Sequence, residues 1–235
     1  MTGTFLQSHL LWLTLTVAVY CGASWLYMRL RLGIVHPLLV SMTVLIGLLR
    51  LTGVTYDTYA ESTAPITFLL GPTVVSLGYA LYRQIDHIKR NLTSILVATF
   101  AGSVVGVVSV IAILRLTGAD EVVIASIAPK SVTTPIAIQL SEHSGGIASL
   151  TSMAVVICGI FGAVAAPYLF RLLRISSPVA RGLAFGSSAH GVGTAAAMRM
   201  GAVEGAISGL AIGVMGVMTA LALPLVSALM GYLDI

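Results

Sequence analysis

The amino-acid sequence predicts an all-α polytopic membrane protein with about seven transmembrane helices, some of them re-entrant or broken. Three observations carry that prediction. Of the 235 residues, 57% are hydrophobic and only 9% charged, with a mean hydropathy of +1.02, whereas soluble domains carry about 25% charged residues. Apolar segments recur at the length that a hydrocarbon layer of ~30 Å requires of a helix. Several of those segments are interrupted by Gly-Pro pairs, prolines or polar glycine-rich runs, which at membrane depth must face protein or a water-filled cavity. The whole chain, residues 1–235, reads as a single integral membrane domain.

Leu10 to Met28 is the first spanning segment, with Trp12, Trp25 and Tyr27 near its ends, where aromatic belts belong. The first basic residue is Arg29, so no charged n-region of a cleavable signal precedes it. Ile34 to Leu49 follows, with Pro37 in its first turn, where proline is tolerated, and Arg50 at its end. Asp57 and Glu61 mark the next connection. Pro65 to Tyr82 holds Gly71-Pro72, which predicts a kinked or unwound helix. After a charged loop from Arg83 to Arg90, a fourth span runs to about Leu114, with Gly102 and Gly106 forming a small-residue face. Ile147 to Phe170, carrying Gly159 and Gly162, and Ala202 to Leu229 are the later spans. Cys21 and Cys158 each lie in apolar segments and read as small core residues with no disulfide.

Between the fourth and next spans lies Ile124-Ala-Ser-Ile-Ala-Pro-Lys-Ser-Val-Thr-Thr-Pro-Ile-Ala-Ile-Gln139. Apart from Lys130 the run from Val122 to Leu140 is uncharged, yet Pro129 and Pro135 each lack an N–H and break a continuous helix. A solvated loop would be more polar than its flanks, and an ionisable residue at membrane depth marks a functional site. The second unusual stretch, Gly182 to Ala197, contains Gly186-Ser-Ser-Ala-His-Gly-Val-Gly-Thr194. Gly191 and Gly193 let backbone approach a ligand closely, and free N–H groups at a helix start favour anions. Interruptions in both halves, at Gly71-Pro72 and around Pro129 and Gly191, point to a transporter site near mid-depth. An inverted repeat between the halves is the architecture such paired interruptions imply.

Basic residues set the orientation. With the uncharged N-terminus outside and the central stretch dipping in and back, Arg29, Arg31, Arg83, Lys89, Arg90, Arg171, Arg174 and Arg181 fall on the cytoplasmic side. Arg50 and Arg115 then lie outside, with Arg199 joining them if the second polar stretch crosses. A full crossing of the central stretch destroys this asymmetry, so the positive-inside rule favours re-entry.

Lys130 with Ser131, Thr133 and Thr134, together with Ser187, Ser188, His190 and Thr194, would make a small, positive, hydroxyl-rich pocket. A carboxylate suits it. The acidic residues (Asp57, Glu61, Asp86, Asp120, Glu121, Glu142, Glu204, Asp234) all fall at segment ends, so a cation would find no buried partner. His190 reads equally as a proton relay or as a hydrogen-bonded packing residue. The methionines at 198, 200, 215 and 218 read as core filler, not a metal site. There is no H-E-x-x-H, no intramembrane aspartate pair and no C-x-x-C, so neither an enzyme nor a metal or other cofactor is expected. No basic cluster resembles a nucleic-acid surface.

At these residues the chain resembles the LrgB/CidB family of bacterial membrane proteins. The matching stretches are Leu69-Leu-Gly-Pro-Thr-Val-Val-Ser-Leu77 with Tyr82-Arg-Gln84, Ser126-Ile-Ala-Pro-Lys-Ser-Val-Thr-Thr-Pro-Ile-Ala137, Gly145-Gly-Ile-Ala-Ser-Leu-Thr151 and Arg181-Gly-Leu-Ala-Phe-Gly-Ser-Ser-Ala-His-Gly-Val-Gly-Thr194. The resemblance implies a multi-pass protein of the bacterial cytoplasmic (inner) membrane and brings two functional pictures. One is an antiholin-like regulator of murein hydrolase export and autolysis, paired with a smaller holin-like protein of the LrgA/CidA type. The other is transport of small carboxylates: pyruvate for bacterial pairs, glycolate and glycerate for the related plastid envelope transporter. A homodimer is expected by analogy with similar carriers.

Overall fold

The computed structural model describes residues 8–30 and 35–232. Arg31, Ile34 and Asp234, used above, lie outside the described residues. The described chain forms helices joined by short turns, in two compact units, residues 1–76 and 77–235.

In the first unit, α1 (His9–Leu30) and α2 (Pro37–Thr52) are followed by short helices α3 (Tyr56–Ser62) and α4 (Ala64–Phe68). Pro37 occupies the first turn of α2, as expected, and Gly53 ends it in the left-handed region at φ 69°. Trp12 is buried and meets Tyr59 edge-on at 6.0 Å, while Thr16 Oγ1 lies 3.1 Å from the Tyr59 hydroxyl. His9 Nδ1 sits 3.0 Å from Ser62 Oγ. α5 (Leu70–Arg83) begins after a turn at Leu69, so Gly71 and Pro72 lie in a helix's first turn just past an interruption.

α6 (Ile85–Arg90) leads in the second unit to α7 (Leu92–Leu116), 25 residues long. Then come α8 (Glu121–Ile127) and α9 (Thr134–His143), α10 (Ala148–Leu172), α11 (Pro178–Met200) and α12 (Ala202–Tyr232). α7 runs parallel to α12: Ile95 clusters with Ile207 and Ala211, Ser103 Oγ is 3.1 Å from Thr219 Oγ1, and Val107 clusters with Leu223. α10 runs antiparallel to both: Val155 clusters with Met215 in the middle of α12, and Phe170 with Phe185, whose neighbour Gly186 lies beside Ser208 near the start of α12.

α8 and α9 form a hairpin that does not cross. The N–H of Ile147 donates to Ser126 Oγ at 2.8 Å, and Thr151 Oγ1 donates to Ser141 Oγ at 2.7 Å. Both arms therefore return to the end where α7 finishes and α10 starts. This is the re-entry that the charge count favours. Thr133 precedes α9 in extended conformation and Pro135 sits in its first turn, a position that needs no N–H.

α11 is broken at His190, whose φ of 40° and ψ of −128° leave the helical region. The break is a reversal. A Cβ built on Gly193 would lie 2.6 Å from the Phe185 carbonyl oxygen, whereas eight residues of continuous helix span about 12 Å. The outgoing arm packs parallel to α12, Gly182 beside Glu204 and Gly186 beside Ser208, and the returning arm brings Thr194 Oγ1 to 2.7 Å from Ser208 Oγ. Hence Arg199 lies at the same end as Arg171, Arg174 and Arg181, not at the opposite end where a crossing would put it.

Five described helical segments are long and apolar enough to cross a membrane, and the 16-residue α2 is a shorter apolar helix. The remaining long segment, α11, is a second re-entrant hairpin. The second unit thus repeats one plan: a 25-residue helix followed by a 23-residue stretch that folds back, α7 with 121–143 and α10 with 178–200. The two copies enter from opposite ends. The returning arms α9 and 191–200 are ten residues each, about 15 Å, half of a ~30 Å apolar layer. Their tips must meet at mid-depth.

Candidate functional site

The tips meet against the middle of α10. Pro129 is fully buried at the first tip, and half-buried Lys130 extends from it. Lys130 Nζ donates to Ser131 Oγ at 3.4 Å and contacts Cys158 Sγ on α10 at 3.8 Å. The Cys158 thiol in turn donates to the backbone carbonyl of Ser188 at 3.3 Å, just before the second tip. One step along, His190 Nε2 lies 2.9 Å from the carbonyl oxygen of Val155. A chain of contacts therefore runs from the cation of one hairpin to the turn of the other.

Glycine explains how the second tip reaches α10. A Cβ on Gly159 would lie 2.6 Å from His190 Cε1, and one on Gly162 would lie 2.7 Å from Ala189 Cβ. Neither side chain can be added without moving the tip. Ser131 Oγ, besides accepting from Lys130, lies 3.9 Å from where a Cβ on Gly106 of α7 would stand.

Both returning arms start at the tips, so the N–H groups of their first turns face mid-depth from opposite ends. Helix starts carry a partial positive charge. Together with Lys130 they make this crossing electropositive. Among the described residues the ion pair present is Arg115–Glu121 at 3.2 Å, at the foot of the first hairpin, and Lys130 at its tip has no carboxylate beside it. The described residues hold no cluster of His, Cys, Asp or Glu that could bind a metal ion.

Of the residues singled out from sequence, Lys130, Ser131, Ser188 and His190 come together here. Thr133 and Thr134 lie at the start of α9, both half-buried. Ser187 is half-buried on the outgoing arm. The Ser188 hydroxyl turns away from Cys158, donating to the Ala184 carbonyl at 2.6 Å. Thr194 is buried one turn behind the tip, donating to the His190 carbonyl at 2.9 Å and meeting Ser208. Gly191 is open, while Gly193 makes the close arm-to-arm contact. Sequence reasoning passed over Cys158, which it took for core, and the Val155 carbonyl, a backbone group that no residue type announces. The spacing Cys158-Gly159…Gly162, a small-residue stripe in an apolar helix, was the available signal.

The LrgB-like family model matches residues 16–229. The uncharacterized protein YwbG of Bacillus subtilis (strain 168) is 35% identical over 218 residues, 93% of this chain and 97% of that protein. The antiholin-like protein LrgB of Bacillus mycoides (strain KBAB4) is 33% identical over 195 residues, 83% of this chain and 85% of that protein. No solved structure matches. With a fold of membrane-crossing helices and a family match spanning nearly its whole length, the chain belongs to the LrgB-like family.

Proposed function

We propose that this protein is a carrier for small monocarboxylates, 2-hydroxy or 2-oxo acids such as glycolate, glycerate and pyruvate. One observation carries the reading: two hairpins that enter from opposite ends meet at Lys130, beside the starts of two half-helices. Such crossings of interrupted helices are how many carriers hold an ion at mid-depth while opening to either side. A half-buried cation with no carboxylate beside it favours an anion. The small, hydroxyl-bearing surroundings favour a short one. In this reading Lys130 is the counter-charge and Ser131, Thr133, Thr134, Ser187 and Ser188 supply hydrogen bonds. His190 takes up and releases a coupled proton, and Thr194 braces its turn. No residue is assigned a catalytic role. The end rich in arginine faces the cytoplasm, the N-terminus lies outside, and the carrier works as a homodimer.

The test is uptake of labelled glycolate, glycerate and pyruvate into proteoliposomes containing this protein alone, at two pH values. Saturable uptake that falls at least ~100-fold in Lys130→Gln, the scale of a lost charge-assisted bond of about 3 kcal/mol, is the expected result. Undiminished uptake in that variant removes Lys130 from the site. A second reading is favoured by the name of the Bacillus mycoides relative, an antiholin-like protein. There the chain regulates murein hydrolase export by assembling with a holin-like LrgA/CidA-type protein. Absence of uptake both alone and with such a partner would decide for it.

A further inference from the structure

A cleft of about 310 Å³ opens at the arginine-rich end of the second unit. Tyr79, Arg83 and Gln84 line one side; Met198, Gly201 and Gly205, where the second hairpin hands over to α12, line the other. We propose that this cleft binds the headgroup of an anionic phospholipid.

Three features of this end fit that occupant. The end itself is strongly basic: Arg83, Lys89, Arg90, Arg171, Arg174, Arg181 and Arg199 stand there against Asp86 and Glu204. Glu204 is only 8% exposed, its carboxylate is folded against Gly201, and it is not among the lining residues. Tyr79 and Tyr82 are 63% and 72% exposed on the same helix end, and tyrosines so placed sit at headgroup level. Finally, the lining combines one guanidinium, which pairs a phosphate with two parallel hydrogen bonds, with an amide beside it and an otherwise apolar surface. A soluble anion would use Arg83 and leave that apolar surface wet. A phospholipid uses both: phosphate on Arg83 and Gln84, glycerol in the space left by the glycines, acyl chains along Tyr79 and Met198.

The site is independent of the carrier reading, and its test needs no transport. Thermal unfolding of the purified protein in a nonionic detergent is measured with added dioleoylphosphatidylglycerol, dioleoylphosphatidylcholine or inorganic phosphate. Phosphatidylglycerol at a large excess over its dissociation constant is expected to raise the midpoint by ~4 °C, and the other two by less than half of that. Arg83→Gln is expected to lose most of the shift and Arg83→Lys to keep part of it. Arg171→Gln, basic at the same end but outside the cleft, is expected to keep it all. Arg83 is exposed, so these variants fold. An equal shift with phosphatidylcholine, an equal shift with inorganic phosphate, or a full shift in Arg83→Gln overturns the proposal. Equal losses in Arg83→Gln and Arg171→Gln overturn it too, because they would mean diffuse attraction to the whole end.

Discussion

Glycines on α10 and on the second hairpin separate two roles that look alike in sequence. Adding a methyl at Gly159 drives it into the imidazole of His190, and at Gly193 into the carbonyl of Phe185. Overpacking of this kind costs about 1–3 kcal/mol. Gly159→Ala is expected to lower the unfolding midpoint and cut uptake severalfold. Gly193→Ala should cost more, because the atom it meets belongs to the backbone and cannot rotate aside. Gly213, with open space around it, gives the contrast: Gly213→Ala should leave uptake unchanged and stabilise the helix by ~0.5–1 kcal/mol. His190 itself holds a positive φ that a non-glycine residue adopts at a cost of about 1–3 kcal/mol. His190→Gly relieves that cost and His190→Ala does not, while both remove the bond to Val155. If the imidazole carries the coupled proton, both variants lose the pH dependence of uptake and only the alanine variant is markedly less stable. Sequence could mark Lys130 and His190 because charged or titratable groups stand out in apolar runs. It could not mark Val155, whose contribution is a carbonyl oxygen freed for contact only by where the hairpin turns.

At the scale of elements, the two hairpins differ in how openly the sequence declares them. Pro129 and Pro135 flank the first tip, and a missing N–H at each position forbids a continuous helix, so its interruption was legible. Its direction of return was legible as well, from the distribution of arginines. The second hairpin has no proline at its turn. Its reversal rests on small side chains at 186, 189 and 193 that let the arms lie against each other and against α12, and a helix of small residues reads equally well as a crossing span. Paired cysteines test the geometry directly. In a background with Cys21 and Cys158 replaced, Thr194→Cys with Ser208→Cys should form a disulfide under mild oxidation, since the parent oxygens lie 2.7 Å apart. Ser141→Cys with Thr151→Cys should do so for the first hairpin. An unbroken α11 would carry residue 194 about 6 Å past its tip and away from Ser208, and the first pair would stay reduced.

For the molecule as a whole, re-entry of both hairpins sorts charge by end. Arg171, Arg174, Arg181 and Arg199 share one end of the second unit, and Asp120, Glu121 and Glu142 share the other. Single cysteines at Arg174 and Arg199 should therefore react with a membrane-impermeant maleimide from the same side, the cytoplasmic one, and a cysteine at Glu142 from the opposite side. Labelling of the Arg199 position together with Glu142 would refute the second re-entry. Composition settled the membrane class at once, since so few charges leave no soluble alternative. The count of crossings needed the structure, because a hairpin of 23 residues and a single span of 23 residues have the same length in sequence. That equivalence also bears on how the protein is made. Gly182 and Gly186 of the second hairpin rest on residues 204–211 of α12, which leave the ribosome afterwards. Until those residues are synthesised, the hairpin has half its berth: His190 can already rest on α10, but the Thr194 hydroxyl lacks Ser208, its partner on α12. A nascent chain halted at Gly201 should accordingly be short-lived in the membrane, cleared by quality-control proteases that spare the finished protein.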